Sequence, residues 1–253
     1  ELMSPRVTVF EEDEVRTLTG GPMPRPGPTE TMSLLSCAGD GVLASISIRP
    51  GSGGGVQRWG QRLVRMSLAD ASLDTILEHP TTEVFDGLNV PFGRTALSAV
   101  TDSMLYLTDT GQPVIRVLGL DGRERRIIRL AMLPRPVTAA ELARLRAQYL
   151  NNLPASLVAE IEPRFEAAPK PTTMPFFSRL VVASDGTIWL REYQPFRDEE
   201  TTRWSVVDSS GVWLGDIELP IRFIPHEFET RSVLGVWRDE NDVEFVRRYS
   251  ITR

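Results

Sequence analysis

Cysteine is nearly missing from this sequence: Cys37 is the only one in 253 residues. No disulfide can close within the chain, so the fold has to be held by buried apolar surface. A reduced compartment fits that, and the periplasm remains open, because many proteins there carry no disulfide. Lysine is equally scarce, with Lys170 alone, and arginine carries almost all the positive charge. Such a bias follows from a GC-rich coding sequence more readily than from a recognition task. Histidine occurs twice, at His79 and His226, each beside a proline-containing loop or strand end. No His-x-His, His-Glu-x-x-His or paired-cysteine spacing is present, so a zinc site has no recognisable ligands. No Gly-x-Ser-x-Gly elbow offers a nucleophile to either histidine. Both are expected to be surface or hydrogen-bonded structural residues. Long apolar runs are absent too; none approaches the roughly 20 residues needed to cross a bilayer.

What is present has the composition of a soluble globular protein, with 41% hydrophobic and 25% charged residues. The net charge of −6 and the pI of about 5.2 argue against a broad nucleic-acid footprint, and no nucleic-acid partner is expected. Leu34-Leu35-Ser36-Cys37 has the outline of a lipoprotein cleavage box. The proline-rich stretch upstream of it lacks the apolar segment such a box requires, so Cys37 is read as a small strand residue. The chain starts at Glu1, in mid-repeat, which leaves a signal peptide or anchor upstream as an open alternative.

The organising stretch is residues 97–130, read as four short strands at 97–100, 104–108, 114–120 and 125–130. Asp121-Gly122 separates the last two. Glycine reaches the positive φ that a tight hairpin turn needs, because it has no Cβ to clash. Strands rich in Val, Ile, Leu and Tyr fit a half-buried pleated surface. The same unit recurs with variations. A partial one covers residues 6–18 and a second spans 32–77, with strands at 34–38, 42–48, 63–68 and 73–77. Another runs from 177 to 219, and a closing set covers 223–249. After the turns the second strands align as Val42-Leu43-Ala44, Met104-Leu105-Tyr106 and Thr187-Ile188-Trp189. Fixed-order similarity of this kind is the signature of a repeat array, in which neighbouring sheets bury what one sheet cannot.

Between the third and fourth units the β pattern stops. Pro134-Arg135-Pro136 ends it, and Thr138-Ala139-Ala140-Glu141 is a capping box opening a helix. Leu142, Leu145, Tyr149 and Leu153 fall on one face of that helix. A second helix is expected over 155–162, with Pro163, Pro169 and Pro171 bringing it to an end. The fold class is therefore all-β: antiparallel four-stranded units in one domain over 1–253, β-propeller-like, with a helical insertion at 138–168; a truncated or open propeller and a pair of packed antiparallel sheets both stay open.

Two segments, 99–118 and 180–207, resemble NHL-type repeats of bacterial six-bladed β-propeller proteins. Leu105-Tyr106-Leu107-Thr108-Asp109 and Ile188-Trp189-Leu190 resemble the second strand of such a repeat, and the strand ending in Leu118 the third. The helical insertion and the small number of complete blades depart from that family. The resemblance implies a propeller in an extracytoplasmic (periplasmic) setting, soluble or peripheral, and it raises a comparison with propeller hydrolases and lactonases. Those hold a divalent metal with carboxylates from several blades, which directs attention to Asp102, Asp109, Asp185 and Asp239. Turn chemistry accounts for Asp102 and Asp185, and Asp239 lies in a turn-like run. Asp109 resembles a structural aspartate of the repeat.

The glycine run at 50–55 lacks the lysine and the helix of a phosphate loop and is read as a hairpin extension. Arg123-Glu124-Arg125-Arg126 is read as a solvated strand edge. No catalytic, cofactor-binding or metal residue is nominated. The expected function is a non-catalytic interaction or scaffold module with a protein partner, one version being an accessory subunit on a membrane-embedded complex. A metal-dependent hydrolase or lactonase-like enzyme acting on a small molecule is the alternative.

Overall fold

Consecutive apolar residues such as Leu105-Tyr106-Leu107 and Ile188-Trp189-Leu190 give a small sheet two apolar faces, because neighbours on a strand point opposite ways, and the structure covers both by stacking sheets in chain order. The structure is a computed structural model that describes residues 7–11, 14–18, 30–38, 41–51, 54–69, 72–196, 200–229 and 231–251. The connector expected over residues 20–28 lies outside the described residues.

A two-stranded hairpin comes first, β1 (Val7–Glu11) with β2 (Glu14–Leu18). The first blade is a five-stranded sheet of β3 (Glu30–Ala38), β4 (Gly41–Ile48), β5 (Val56–Ser67), β6 (Leu73–Phe85) and β7 (Leu88–Asn89). The second blade holds β8 (Ala96–Val100), β9 (Met104–Asp109), β10 (Val114–Gly119) and β11 (Glu124–Arg129). Helices α1 (Ala139–Asn151) and α2 (Ala155–Ala167) follow. The third blade is β12 (Phe177–Val182), β13 (Ile188–Glu192), β14 (Thr201–Val207) and β15 (Trp213–Pro220). The fourth has β16 (Phe223–Glu229), β17 (Ser232–Arg238) and β18 (Glu244–Ser250). Among the described residues every pairing of these strands is antiparallel and joins strands adjacent in sequence, a four-bladed propeller-like arrangement with two inserted helices.

The period of two decides which blade each side chain meets. On β13, Ile188 and Leu190 point to the second blade, where they pack with Ile115, Val117 and Ile128. Trp189 points the other way and packs with Trp204, Phe228 and Val233 of the third and fourth blades. Trp189 and Trp204 are each 1% exposed, as their apolar flanks predict, and their rings lie 4.9 and 5.2 Å from that of Phe228. The first and second blades meet through Leu63, Leu105, Leu107 and Leu118.

Turn glycines mark the closest approaches. Gly122 has φ +74°, and a Cβ there would collide with the Ile76 carbonyl oxygen of β6 in the preceding blade. Gly211, at φ +97°, sits in the same way against Ile128 of β11. The hairpin turn between the last two strands of a blade thus docks on an outer strand of the blade before it.

Two expectations need correction. The strands expected at 63–68 and 73–77 are much longer, since β5 starts at Val56 and β6 runs through Pro80 to Phe85. Thr81, Thr82, Val84 and Phe85 favour a strand, and Pro80 lies opposite Gly60 beside a register shift, where the ladder is already interrupted. Asp86-Gly87, with φ 47° and 80°, then turns the chain into β7. In addition, α2 continues past Glu162 through Pro163 to Ala167. Proline removes one helical hydrogen bond, but Phe165 is buried beyond it and Arg146 of α1 pairs with both Glu162 and Glu166 across the break.

Candidate functional site

The helical insertion lies outside the four blades, between the second and the third. Its two arms are fastened at the base: the Val137 amide donates to Thr172 O at 3.0 Å and the Met174 amide to Arg135 O at 2.8 Å. Just beyond this short ladder, α1 begins with a complete capping box. Thr138 Oγ1 accepts from the Glu141 amide at 3.2 Å, and Glu141 Oε2 accepts from the Thr138 amide at 2.9 Å. The Thr138 hydroxyl and amide hold the Glu141 carboxyl below its ordinary value, with Arg135 adding to the effect at 2.5 Å.

The two helices pack mainly on each other. Tyr149 and Phe165 have ring centroids 5.7 Å apart, and the guanidinium of Arg146 ties α1 to two glutamates of α2. Lys170 closes the C-terminus of α2. Its ammonium donates to Phe165 O, to Ala168 O at 2.6 Å and to Glu166 O at 3.2 Å, where the helix dipole favours a cation. Leu142, Leu145 and Leu153 are half-buried, while Tyr149 is exposed; no residue of α1 is fully buried. Leu157 at 42% and Leu133 at 92% exposure add apolar surface on α2 and on the incoming arm.

A groove of about 560 Å³ runs between the first turn of α1 and the third blade. Arg135, Glu141 and Arg144 form one wall; Tyr193, Phe196 and Arg203 form the other. Arg144 stacks its guanidinium 3.9 Å from the Phe196 ring centroid, which fixes the helix over the segment after β13. Burial pushes the Tyr193 phenol up, with Arg135 opposing, so it stays neutral near pH 7. Glu141 is engaged by Arg135, and Arg203 pairs with Asp216 at 2.6 Å and Glu192 at 3.9 Å. Neither histidine lines the groove. The arrangement offers charge, stacking and apolar surface, the chemistry of recognition.

The residues singled out by sequence are dispersed. Asp185 Oδ1 accepts from the Thr187 amide, and Asp239 Oδ1 from the amides of Asn241 and Val243, both closing their own turns. Asp102 lies exposed in the β8–β9 turn, where Thr101 makes the turn's hydrogen bonds. Asp109 joins blades: Oδ2 accepts from Arg58 of β5 at 2.7 Å while Oδ1 accepts from the Gly111 amide. Among the described residues, no three His, Cys, Asp or Glu gather at metal-binding distance. Arg123 and Arg125 both face Asp121, and Glu124 pairs with Arg116.

His226 is exposed on β16. His79 is half-buried on β6, where burial, then Arg58 and Arg116, push its pKa down against the Pro80 carbonyl. Cys37 lies in β3, and part of the glycine run, residues 52–53, falls outside the described residues. The sequence reading missed Lys170 as a helix cap and the Tyr193-Gln194-Pro195-Phe196 wall, although two aromatics just after a strand were visible. Among the described residues, no helix is long and apolar enough to cross a membrane.

No family model matches the chain, and no curated protein matches it. Among solved structures it is similar to the β-propeller domain of the Trilobed protease from Pyrococcus furiosus, which has an open velcro topology. The TM-score is 0.41 and the identity 7%, over 89% of this chain and 58% of that one. It is also similar to a eukaryotic initiation factor, at TM-score 0.38 and 10% identity over 97% and 60% of the two chains. Citrobacter koseri AztD is a third, at TM-score 0.30 and 13% identity over 88% and 49%. The chain therefore spans about half to three fifths of the length of the structures it resembles.

Proposed function

We propose that this chain is a non-catalytic interaction module whose helical hairpin docks a protein partner. The blades act as the rigid support. In this reading it is an NHL-like propeller, placed outside the cytoplasm as an accessory subunit of a larger, membrane-embedded assembly. The observation that supports it is the construction of the hairpin. It is fastened at its base and braced by ion pairs and an aromatic contact, yet α1 buries no residue fully and Leu133, Tyr149 and Leu157 stay exposed. Apolar and aromatic groups on a rigid excursion are where binding energy concentrates.

The test is deletion of residues 138–169 with a short Gly-Ser bridge, which leaves the basal ladder of Arg135, Val137, Thr172 and Met174 in place. The deleted chain should keep its β circular dichroism and lose the protein that co-purifies with the full chain from its native source. Retention of that protein by a folded deletion variant contradicts the proposal. Calcium or zinc surviving extensive dialysis of the full chain would favour the metal-dependent hydrolase reading instead.

A further inference from the structure

The face that the third blade turns to the fourth changes character along its strands. Val181, Trp189 and Val206 stand directly opposite one another on β12, β13 and β14 and pack into the apolar core. Two residues further along, the next row on that face is Arg179, Arg191 and Trp204. Two arginines are thus exact cross-strand neighbours, a pairing that costs stability because like charges directly opposite repel. Arg179 is half-buried, and its guanidinium carbon lies 5.9 Å from the Trp204 ring centroid, at the outer edge of cation–π range. Among the described residues no carboxylate pairs with it; burial alone acts on its pKa, downward.

This row opens into a cleft of about 440 Å³ between the third and fourth blades. Trp204, 1% exposed, forms its floor, and Phe223, Ile224 and Pro225 of β16 form an apolar wall. Acidic groups of the β17–β18 turn also line the cleft. Asp239 spends Oδ1 on the amides of Asn241 and Val243, and Arg238 pairs with Glu244 at 2.6 Å, with Glu240 and Asp242 beside them. The cleft therefore brings the half-buried Arg179 and the exposed side chain of Ile224 into one concavity.

We propose that this cleft binds a small organic anion, its oxyanion head on the Arg179 guanidinium and its apolar body against the exposed side chain of Ile224. A guanidinium meets a planar carboxylate with two parallel hydrogen bonds, and a partly desolvated site strengthens both. The site is separate from the helical hairpin and stands whether or not the hairpin docks a partner.

The probe is benzoate, with benzamide as its neutral counterpart, titrated into the full chain. The readout is the NMR signal of the Trp204 indole N–H, assigned with Trp204→Phe. Benzoate should shift that signal saturably, and benzamide should bind at least about tenfold more weakly, as expected for loss of a charged hydrogen bond. Arg179→Gln should weaken benzoate by a similar factor. Because Arg179 has no ion-pair partner among the described residues, the same variant should melt at the same temperature as the parent or higher. Absence of a saturable shift, or equal binding by benzamide or by Arg179→Gln, overturns the proposal. A destabilised or unfolded Arg179→Gln also overturns it, because Arg179 would then be serving the fold.

Discussion

His79 is a side chain whose ionisation the fold opposes. It sits on β6 with Nε2 buried and without a hydrogen-bond partner among the described residues, near the positive charges of Arg58 and Arg116. Its pKa in the folded chain lies below the ordinary 6.5, so the unfolded chain binds the proton more readily. Stability is therefore greatest above the unfolded pKa and declines as pH falls through 6.5. The melting temperature should drop between about pH 7.5 and about pH 5.5, a window set by the ordinary imidazole pKa, and His79→Gln should flatten that drop. An identical pH dependence in parent and variant would show that His79 is not its source. Gly122 makes a steric demand. Gly122→Ala combines a positive φ with a collision against Ile76 O, and should cost about 1–3 kcal/mol by urea unfolding. A loss within about 0.5 kcal/mol, typical of free surface positions, would mean that the turn does not dock on the preceding blade. Gly122 was legible as a turn residue from its Asp-Gly pair. Its contact with Ile76 was not, because nothing in a local pattern names the strand of another blade.

At the scale of elements, helix starts were easier to read than helix ends. Thr138 and Glu141 lie three residues apart and make their bonds within one turn, so the capping box is a local fact that spacing reveals. The end of α2 is set by distant groups: Phe165 against Tyr149, and Arg146 on Glu162 and Glu166. Those contacts outweigh the break that Pro163 signals. The first blade shows the same division. The Asp86-Gly87 turn carried the usual dipeptide signal and could have been read, but Pro80 masked the strand leading to it. Because Glu141 titrates below its ordinary 4.5, the capping box contributes stability above that value and loses it as pH falls through the folded pKa. Hydrogen exchange at the Glu141 amide should accelerate, beyond the intrinsic pH effect, as pH drops below 4.5. Glu141→Gln keeps an acceptor without the charge and should remove that acceleration. Unchanged protection of the parent amide across this range would show that the box does not hold the first turn.

For the whole molecule, repetition made the blades legible. Each blade repeats a local strand-turn pattern, and the alternation within strands tells which side chains face a neighbour. The pairing of particular groups across blades is a different matter. Arg58 and Asp109 are 51 residues apart, and the Arg179–Arg191 apposition depends on a register shift after Phe177. The candidate docking surface was half legible in the same sense: the apolar face of α1 could be read from spacing, but not that its Tyr149 would meet Phe165 of α2.

The central claim is that the hairpin, braced but little buried, is what a partner covers. Hydrogen exchange compared between the isolated full chain and the native assembly containing it tests this most directly. The account predicts that amides of residues 139–167 gain protection in the assembly, more than those of the blades. Protection confined to the blades, with the hairpin exchanging as fast as in the isolated chain, would contradict it.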